Sequence, residues 1–177
     1  MKKIRNLLCV LMCGTIYFML AVGSTLDSGN VSTSTDSNGT VSEVSEIPKY
    51  GINDDIYITN DYGKYRVKIT NISETEERNS FSDTKADRVI VIEYEYENLT
   101  DEDDLYVSSL NFNAYDKENN KLEAYPANTK YGGTVSKGRK TSASVAYALN
   151  NRSNYIEMEY YDNMFYGKPN CKIILEW

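Results

Sequence analysis

The segment RVIVIEYEYEN, residues Arg88–Asn98, decides the fold class of this chain. Ile90, Ile92, Tyr94 and Tyr96 occupy alternate positions, and glutamates stand between and after them at 93, 95 and 97. A period of two residues is that of a β-strand, because successive side chains of a strand point to opposite faces of the sheet. The segment is therefore predicted to be a strand with one buried face and one face in water.

The same alternation recurs along the chain, in stretches bounded by Asn, Asp, Gly and Ser. It predicts further strands over residues 55–60, 65–70, 105–115, 122–125, 141–149, 155–160 and 171–177, and a polar loop over residues 73–84. No long segment shows the 3.6-residue period of a helix. About seven to nine short antiparallel strands, with regular turn signals between them, predict an all-β, immunoglobulin-like β-sandwich.

The amino terminus has the pattern of a secretory signal peptide. A basic start is followed by an apolar run over residues 7–22, which ends at a small-x-small site before Ser24. Residues 1–23 are therefore predicted to be a signal peptide, which is either cleaved or retained as a single membrane anchor. In both cases the protein is expected to be secreted or held at the outer face of the cell envelope.

The segment after the predicted signal peptide is rich in Ser and Thr and poor in large apolar side chains. Such a segment buries too little surface to offset the entropy that it loses on ordering. Residues 24–48 are therefore predicted to be a disordered linker, and residues 49–177 a single β-sandwich domain. Cys171 is the one cysteine beyond residue 23, and its alternation with Ile173 and Leu175 predicts a buried thiol.

Charge and composition exclude several classes of function. The net charge is −7, and it falls to −10 when the three cations of residues 1–23 are removed. A negative protein is a poor partner for nucleic acid, and a membrane contact is expected only through an uncleaved signal anchor. The chain has no histidine, which removes Ser-His-Asp and Cys-His catalysis. The protein is therefore predicted not to be an enzyme.

Aromatic residues supply the candidate binding site. The chain has 16 tyrosines, and a tyrosine offers a large contact area with a polar tip, which suits recognition of an extracellular protein or glycan. A cluster near one loop provides the candidates Tyr160, Tyr161, Phe165 and Tyr166. The alternative is that these tyrosines fill amphipathic strand positions, as is expected of Tyr94 and Tyr96.

The acidic run over residues 101–104 supplies the candidate cation site. Clustered carboxylates on a loop can bind Ca²⁺, and the candidate ligands are Asp101, Asp103 and Asp104. The run lacks the spacing of an EF-hand loop, and the alternative is a solvated turn between strands. A Ca²⁺-stabilised extracellular structural domain is therefore the second hypothesis, beside a non-catalytic binding module.

The order of elements from Arg88 onward resembles that of a known family. A hydrophobic strand ends in Tyr-Glu-Asn at residues 96–98, and residues 108–112 then lead to Asp116. The tripeptide Ser-Lys-Gly at residues 136–138 precedes another strand, and a further strand covers residues 155–161. Over residues 52–177 the chain resembles the Ig-like domain of unknown function of secreted proteins and lipoproteins of Gram-positive bacteria, which is related to the mycobacterial immunoprotective extracellular antigens. The resemblance implies an exported, non-catalytic accessory or binding module. It also implies a tight turn at Asn120, where other members often have Gly.

Overall fold

A computed structural model describes residues 46–100, 102–165 and 167–177. The predicted signal peptide and nearly all of the predicted linker lie outside the described residues, as do the candidate residues Asp101 and Tyr166. In the part of the chain that the structure covers, no helix is both long and apolar enough to cross a bilayer.

The described residues form eight strands, in this order: β1 (Lys49–Tyr50), β2 (Ile56–Thr59), β3 (Lys64–Thr75), β4 (Arg88–Asn98), β5 (Phe112–Tyr115), β6 (Lys140–Leu149), β7 (Tyr155–Tyr160) and β8 (Cys171–Glu176). One sheet has the order β2-β3-β4-β6, and the other has the order β1-β8-β7-β5. The predicted all-β sandwich is confirmed. One detail of the prediction is wrong, because the short strand β1 pairs with β8 in parallel and not antiparallel.

The core lies between the two sheets. The face of β4 that was predicted to be buried is at most 2% exposed, and it packs against inward side chains of the other sheet. An aromatic series crosses the core, since the ring of Phe112 lies 5.0 Å from that of Tyr94 and 5.1 Å from that of Tyr160. Cys171 is also buried, as predicted, and burial raises the pKa of its thiol to about 12.

The opposite face of β4 carries an ion-pair network. The Arg66 guanidinium lies 2.7 Å from a carboxylate oxygen of Asp55, 2.6 Å from one of Glu95 and 2.8 Å from one of Glu97. The glutamates therefore line the water-facing side, as the alternation predicts. Arg66 pairs with Glu95 and Glu97, while Glu93 accepts a hydrogen bond from the Asn71 side chain at 3.0 Å.

Strand β3 is longer than predicted. Ser73, Glu74 and Thr75 pair with Val91, Ile90 and Val89 of β4, so the prediction of a loop from residue 73 onward is wrong for these three residues. Strand pairing uses backbone groups, and a polar segment can therefore continue a strand on a solvated face. A bulge between Ile69 and Asn71 shifts the register at the point where the apolar pattern ends.

The prediction of one continuous strand over residues 105–115 is also wrong. Leu105 forms an isolated bridge with Val135, and a 3-10 turn over Ser109–Asn111 precedes β5. The turn breaks the period of two, so the apolar Leu110 is 71% exposed and the polar Asn111 is buried, which is the reverse of what one amphipathic strand would give.

Residues 122–125 form bridges but no strand. The segment begins beside β5, where Lys121 pairs with Tyr115, and passes to β6, where Ala124 pairs with Tyr147. It crosses from one sheet to the other and is too short to add a strand to either. The turn before this segment is held by the Asp116 carboxylate, and its left-handed residue is Asn119 (φ 64°) instead of Asn120.

Candidate functional site

A groove of about 440 Å³ opens at one end of the sandwich, and we call it the Asp162 groove. It lies where the β2–β3 turn, the segment before β5 and the segment after β7 meet. It brings together members of both predicted candidate sets: Tyr160 and Phe165 from the aromatic cluster, and Asp103 and Asp104 from the acidic run. These two sets are more than 50 residues apart in the sequence, and the fold makes them neighbours.

The floor of the groove is a chain of three polar groups. The Tyr65 hydroxyl donates a hydrogen bond to the Asp162 carboxylate, and the Tyr160 hydroxyl lies 2.8 Å from that of Tyr65. An ionised carboxylate can only accept, so the single Tyr65 proton points to Asp162 and Tyr160 donates to Tyr65. Burial is the main cause that raises the pKa of both tyrosines far above the usual range. Both hydroxyls therefore stay protonated at neutral pH.

Asn60 joins this floor to the turn between β2 and β3. Its amide nitrogen lies 3.3 and 3.1 Å from the two carboxylate oxygens of Asp162. Its amide oxygen accepts hydrogen bonds from the backbone of Tyr62 at 3.0 Å and of Gly63 at 3.1 Å. One side chain therefore orients the Asp162 carboxylate and also shapes the turn that presents Tyr62 at the rim.

Asn111 holds the segment after β7 from the other side. Its amide nitrogen donates to the carbonyl oxygens of Tyr161 at 2.7 Å and Asp162 at 3.3 Å, and its amide oxygen accepts from the Ser108 backbone at 2.9 Å. The Asp162 backbone N–H also donates to the Asn170 side chain at 2.6 Å. The groove therefore exists before any ligand binds, because its walls are tied to both sheets.

The rim of the groove is apolar and exposed. Phe165 is 79% exposed, and Tyr62, Tyr106 and Met164 are also exposed large apolar residues that line it. Single exposed apolar residues are common on protein surfaces, but a cluster around one concavity is typical of an interaction site. This cluster is the strongest sign that the groove is a contact surface.

Asp103 and Asp104 stand on the same rim, in an anchored segment. The carbonyl oxygen of Asp103 accepts a hydrogen bond of 2.9 Å from the buried side chain of Asn98, and Leu105, which follows Asp104, pairs with Val135. Among the described residues, no three acidic or cysteine side chains lie close enough together to hold a metal ion. Asp101 is outside these residues, so the predicted Ca²⁺ site stays a prediction.

Tyr161 points away from the groove. Its hydroxyl donates to a carboxylate oxygen of Glu159 at 2.7 Å on the outer face of the sheet. Burial, followed by the neighbouring Glu159, raises its pKa to about 12. Successive side chains alternate between faces, so Tyr160 enters the core and Tyr161 leaves it. Of the four aromatic candidates, Tyr160 lies in the floor, Phe165 in the rim and Tyr161 outside the groove.

Sequence analysis did not single out Asn60, Tyr65, Asn111 or Asp162. Tyr65 begins the predicted strand over residues 65–70, and its hydroxyl is the one signal that the sequence offers, because a buried tyrosine normally needs a hydrogen-bond partner. Nothing in the sequence near Tyr65 identifies that partner, since Asp162 lies 97 residues away along the chain.

A second groove of about 520 Å³ lies beside β6, and we call it the Tyr131 groove. It is larger, but two of the exposed large apolar residues line it, Tyr106 and Tyr131, against four at the Asp162 groove. Lys130 donates to Ser142 at 2.6 Å, and the Tyr125 hydroxyl accepts from the Asn79 backbone at 2.8 Å. We therefore assign the candidate site to the Asp162 groove.

Comparisons with known proteins agree with this fold. Residues 29–162 match the family described as a domain of unknown function, DUF5067. No curated protein gives a match. Among solved structures, MPT63, a secreted protein from Mycobacterium tuberculosis, is similar with a TM-score of 0.58 and 10% identity, over 75% of this chain and 99% of that chain. A candidate lipoprotein, ycdA, from Bacillus subtilis subsp. subtilis str. 168 is similar with a TM-score of 0.53 and 18% identity, over 70% of this chain and 39% of that chain.

Proposed function

Since the chain belongs to the DUF5067 family of domains of unknown function, we propose that it is an exported, non-catalytic binding module whose ligand occupies the Asp162 groove. The observation that carries this proposal is the cluster of exposed apolar side chains around a preformed concavity. The signal-like amino terminus supports export, as does the likeness of the fold to proteins described as secreted or as a lipoprotein.

The chemistry of the floor supports a role in binding rather than catalysis. A catalytic base or nucleophile needs a pKa near the working pH, and the raised pKa of Tyr65 and Tyr160 makes their hydroxyls poor at both tasks. The Asp162 carboxylate is engaged by Tyr65 and Asn60. These groups hold the shape of the site, and nothing in their arrangement presents an activated nucleophile.

The rigidity of the groove is an advantage for binding. Ordering a loop or a side chain when a complex forms costs free energy, and a preformed site avoids part of that cost. Asn60 and Asn111 already immobilise the segments that carry Tyr62 and Asp162. A ligand therefore meets side chains that are largely in place.

The test is affinity capture with the full-length protein. The wild type is immobilised, exposed to surface proteins and glycans of the producing organism, crosslinked and analysed by mass spectrometry. The groove variant carries Tyr62→Ala and Phe165→Ala, which line the Asp162 groove and not the Tyr131 groove. A matched control carries Tyr131→Ala and Phe81→Ala, which are exposed residues outside the Asp162 groove.

Loss of the captured partner in the groove variant alone supports the proposal. If only the control variant fails to capture the partner, the assignment of binding to the Asp162 groove is wrong. That result favours the Tyr131 groove, which Tyr131 lines. Equal capture by all three proteins means that binding uses another surface. The alternative of a Ca²⁺-stabilised structural domain predicts a higher melting temperature in millimolar CaCl₂ and no partner.

A further inference from the structure

We propose that the Asp162 groove binds a basic side chain, arginine or lysine, carried by an extended polypeptide segment of a partner protein. This inference rests on the proposed function, because it names the class of ligand for the same groove.

The charges around the groove are unbalanced. Asp103, Asp104 and Asp162 line it, and among the described residues no lysine or arginine does. None of these three carboxylates forms a salt bridge with any described residue. A cation that enters the groove therefore meets carboxylates that no internal cation has neutralised.

Several carboxylates elsewhere on the domain lie beside a cation. Arg66 neutralises Glu95 and Glu97, and Lys172 lies 2.6 Å from a carboxylate oxygen of Glu157. Even Glu102, directly before Asp103, pairs with Lys137. The groove differs from these sites in that its carboxylates stand together and no described lysine or arginine lines it.

The aromatic rim fits the same kind of ligand. Tyr62, Tyr106 and Phe165 present exposed rings beside the carboxylates. A guanidinium or ammonium group is attracted to the face of an aromatic ring, and arginine can also stack on that ring while it pairs with a carboxylate. Aromatic rings next to unpaired carboxylates therefore form a surface that favours a cation over a neutral or anionic group.

The size of the apolar rim indicates a polypeptide rather than a small amine. Met164 and Phe165 give the groove apolar surface beyond what one cationic group can cover. Aromatic residues and methionine are enriched at protein interfaces, where apolar neighbours of a charged anchor exclude water from it. A neutral glycan would leave the three carboxylates without a counter-charge.

The test compares two peptides that differ only in charge. The full-length ¹⁵N-labelled protein is titrated by NMR with acetyl-Leu-Gly-Arg-Gly-Leu-amide and with the same peptide in which citrulline, a neutral analogue, replaces arginine. We expect the arginine peptide to shift the amide signals around Tyr106, Asp162 and Phe165, and to bind at least about threefold more tightly than the citrulline peptide. Added salt should reduce this difference, because these carboxylates are partly exposed.

Charge variants connect the effect to the groove. Asp103→Asn and Asp104→Asn should each weaken binding of the arginine peptide by about threefold. Asp83→Asn, an exposed acid outside the groove, is the matched control and should leave the affinity unchanged. All three positions are exposed, so the melting temperatures should agree with that of the wild type.

Several results would overturn the inference. Equal affinity for both peptides means that the groove accepts a neutral apolar segment, and equal weakening by Asp83→Asn means non-specific attraction to a negative protein. If neither peptide shifts the groove signals while partner capture still depends on Tyr62 and Phe165, the ligand class is wrong and the proposed function stands. If capture is also independent of these residues, both fail.

Discussion

The hydroxyl of Tyr65 donates a hydrogen bond to the carboxylate of Asp162. Tyr65 belongs to β3 in one sheet, and Asp162 follows β7 in the other, so this contact ties the two sheets together at the end where the groove opens. Tyr160 adds a second hydroxyl at 2.8 Å, and Asn60 contacts the carboxylate from the turn. The floor of the groove is therefore also a structural junction.

This junction should contribute measurably to stability. Tyr65→Phe leaves Asp162 without its strongest donor and Tyr160 without its acceptor, and we expect it to lower the free energy of unfolding by about 1.5–3 kcal/mol. A double-mutant cycle with Asp162→Asn should show a coupling energy of about 1 kcal/mol. Urea unfolding followed by Trp177 fluorescence measures both quantities.

The control for the junction is Tyr161→Phe, which removes a partly exposed hydroxyl that contacts Glu159. We expect a loss below about 1 kcal/mol, because water can replace this hydrogen bond. Strictly additive effects of Tyr65→Phe and Asp162→Asn would contradict the coupling.

The turn at Asp116 should make the stability of the folded domain depend on pH. Burial opposes ionisation of this carboxyl, but hydrogen bonds from Asn120, Glu118 and Asn151 outweigh it and hold the pKa below its usual value. A lowered pKa in the folded state contributes stability that is fully present above the unfolded value of about 3.9 and is lost as the pH falls through the folded value.

The matching variant is Asp116→Asn, which we expect to cost about 1–3 kcal/mol at pH 7. Its amide nitrogen cannot accept the hydrogen bonds that the side chains of Asn120 and Asn151 donate to the second carboxylate oxygen. Thermal melts at pH 7 and at about pH 2.5 measure the melting temperatures of both proteins. The difference in melting temperature between wild type and variant should be smaller at the lower pH. A difference in melting temperature that is the same at both pH values would contradict the lowered pKa of Asp116.

Gly132 should tolerate no side chain. A Cβ atom at this position would lie 2.6 Å from the Tyr96 hydroxyl oxygen and 3.3 Å from the Ala143 Cβ, while that hydroxyl is held 2.6 Å from the carbonyl oxygen of Gly133. We expect Gly132→Ala to destabilise the domain by about 1–3 kcal/mol through overpacking.

A second substitution separates overpacking from a change in backbone freedom. Tyr96→Phe removes the atom that would clash, so the double variant should be more stable than the sum of the single changes predicts, by at least about 0.5 kcal/mol. Chemical denaturation of the four proteins provides the comparison. No rescue would mean that the cost of Gly132→Ala has another origin.

Cys171 should be chemically inert in the folded protein. It is 1% exposed, and burial raises its thiol pKa to about 12, whereas alkylation requires an accessible thiolate. Iodoacetamide at pH 8 should therefore modify Cys171 only at urea concentrations that unfold the protein. Mass spectrometry of the peptide that contains Cys171 measures this modification. Modification in the native state, at a rate above that of global unfolding, would indicate local opening of β8.

Sequence alone determined the class of fold and most of its strands. The alternation over Arg88–Asn98 and Tyr155–Tyr160 separates a core face from a face with the glutamates, and the structure agrees for Ile90 to Glu97 and for Ile156 to Tyr160. Val89 departs from it, because it is buried on the outer face against Ala146 and Ala148. This pattern is readable because the period of two belongs to the backbone of each strand and needs no knowledge of distant residues. Prediction failed where local backbone departed from that period, as at the 3-10 turn that exposes Leu110 and buries Asn111.

Only the tertiary structure decided the candidate site. The sequence indicated Phe165 and Asp103 as separate candidates, and it gave no reason to join them or to involve Tyr65 and Asp162. Asn60 and Asp162 make contact across 102 residues of sequence, and this contact depends on how the β2–β3 turn and the segment after β7 meet at one end of the sandwich. Side-chain hydrogen bonds act over about 3 Å, so the partners of a polar group follow from the packing of whole sheets and not from its neighbours in the chain.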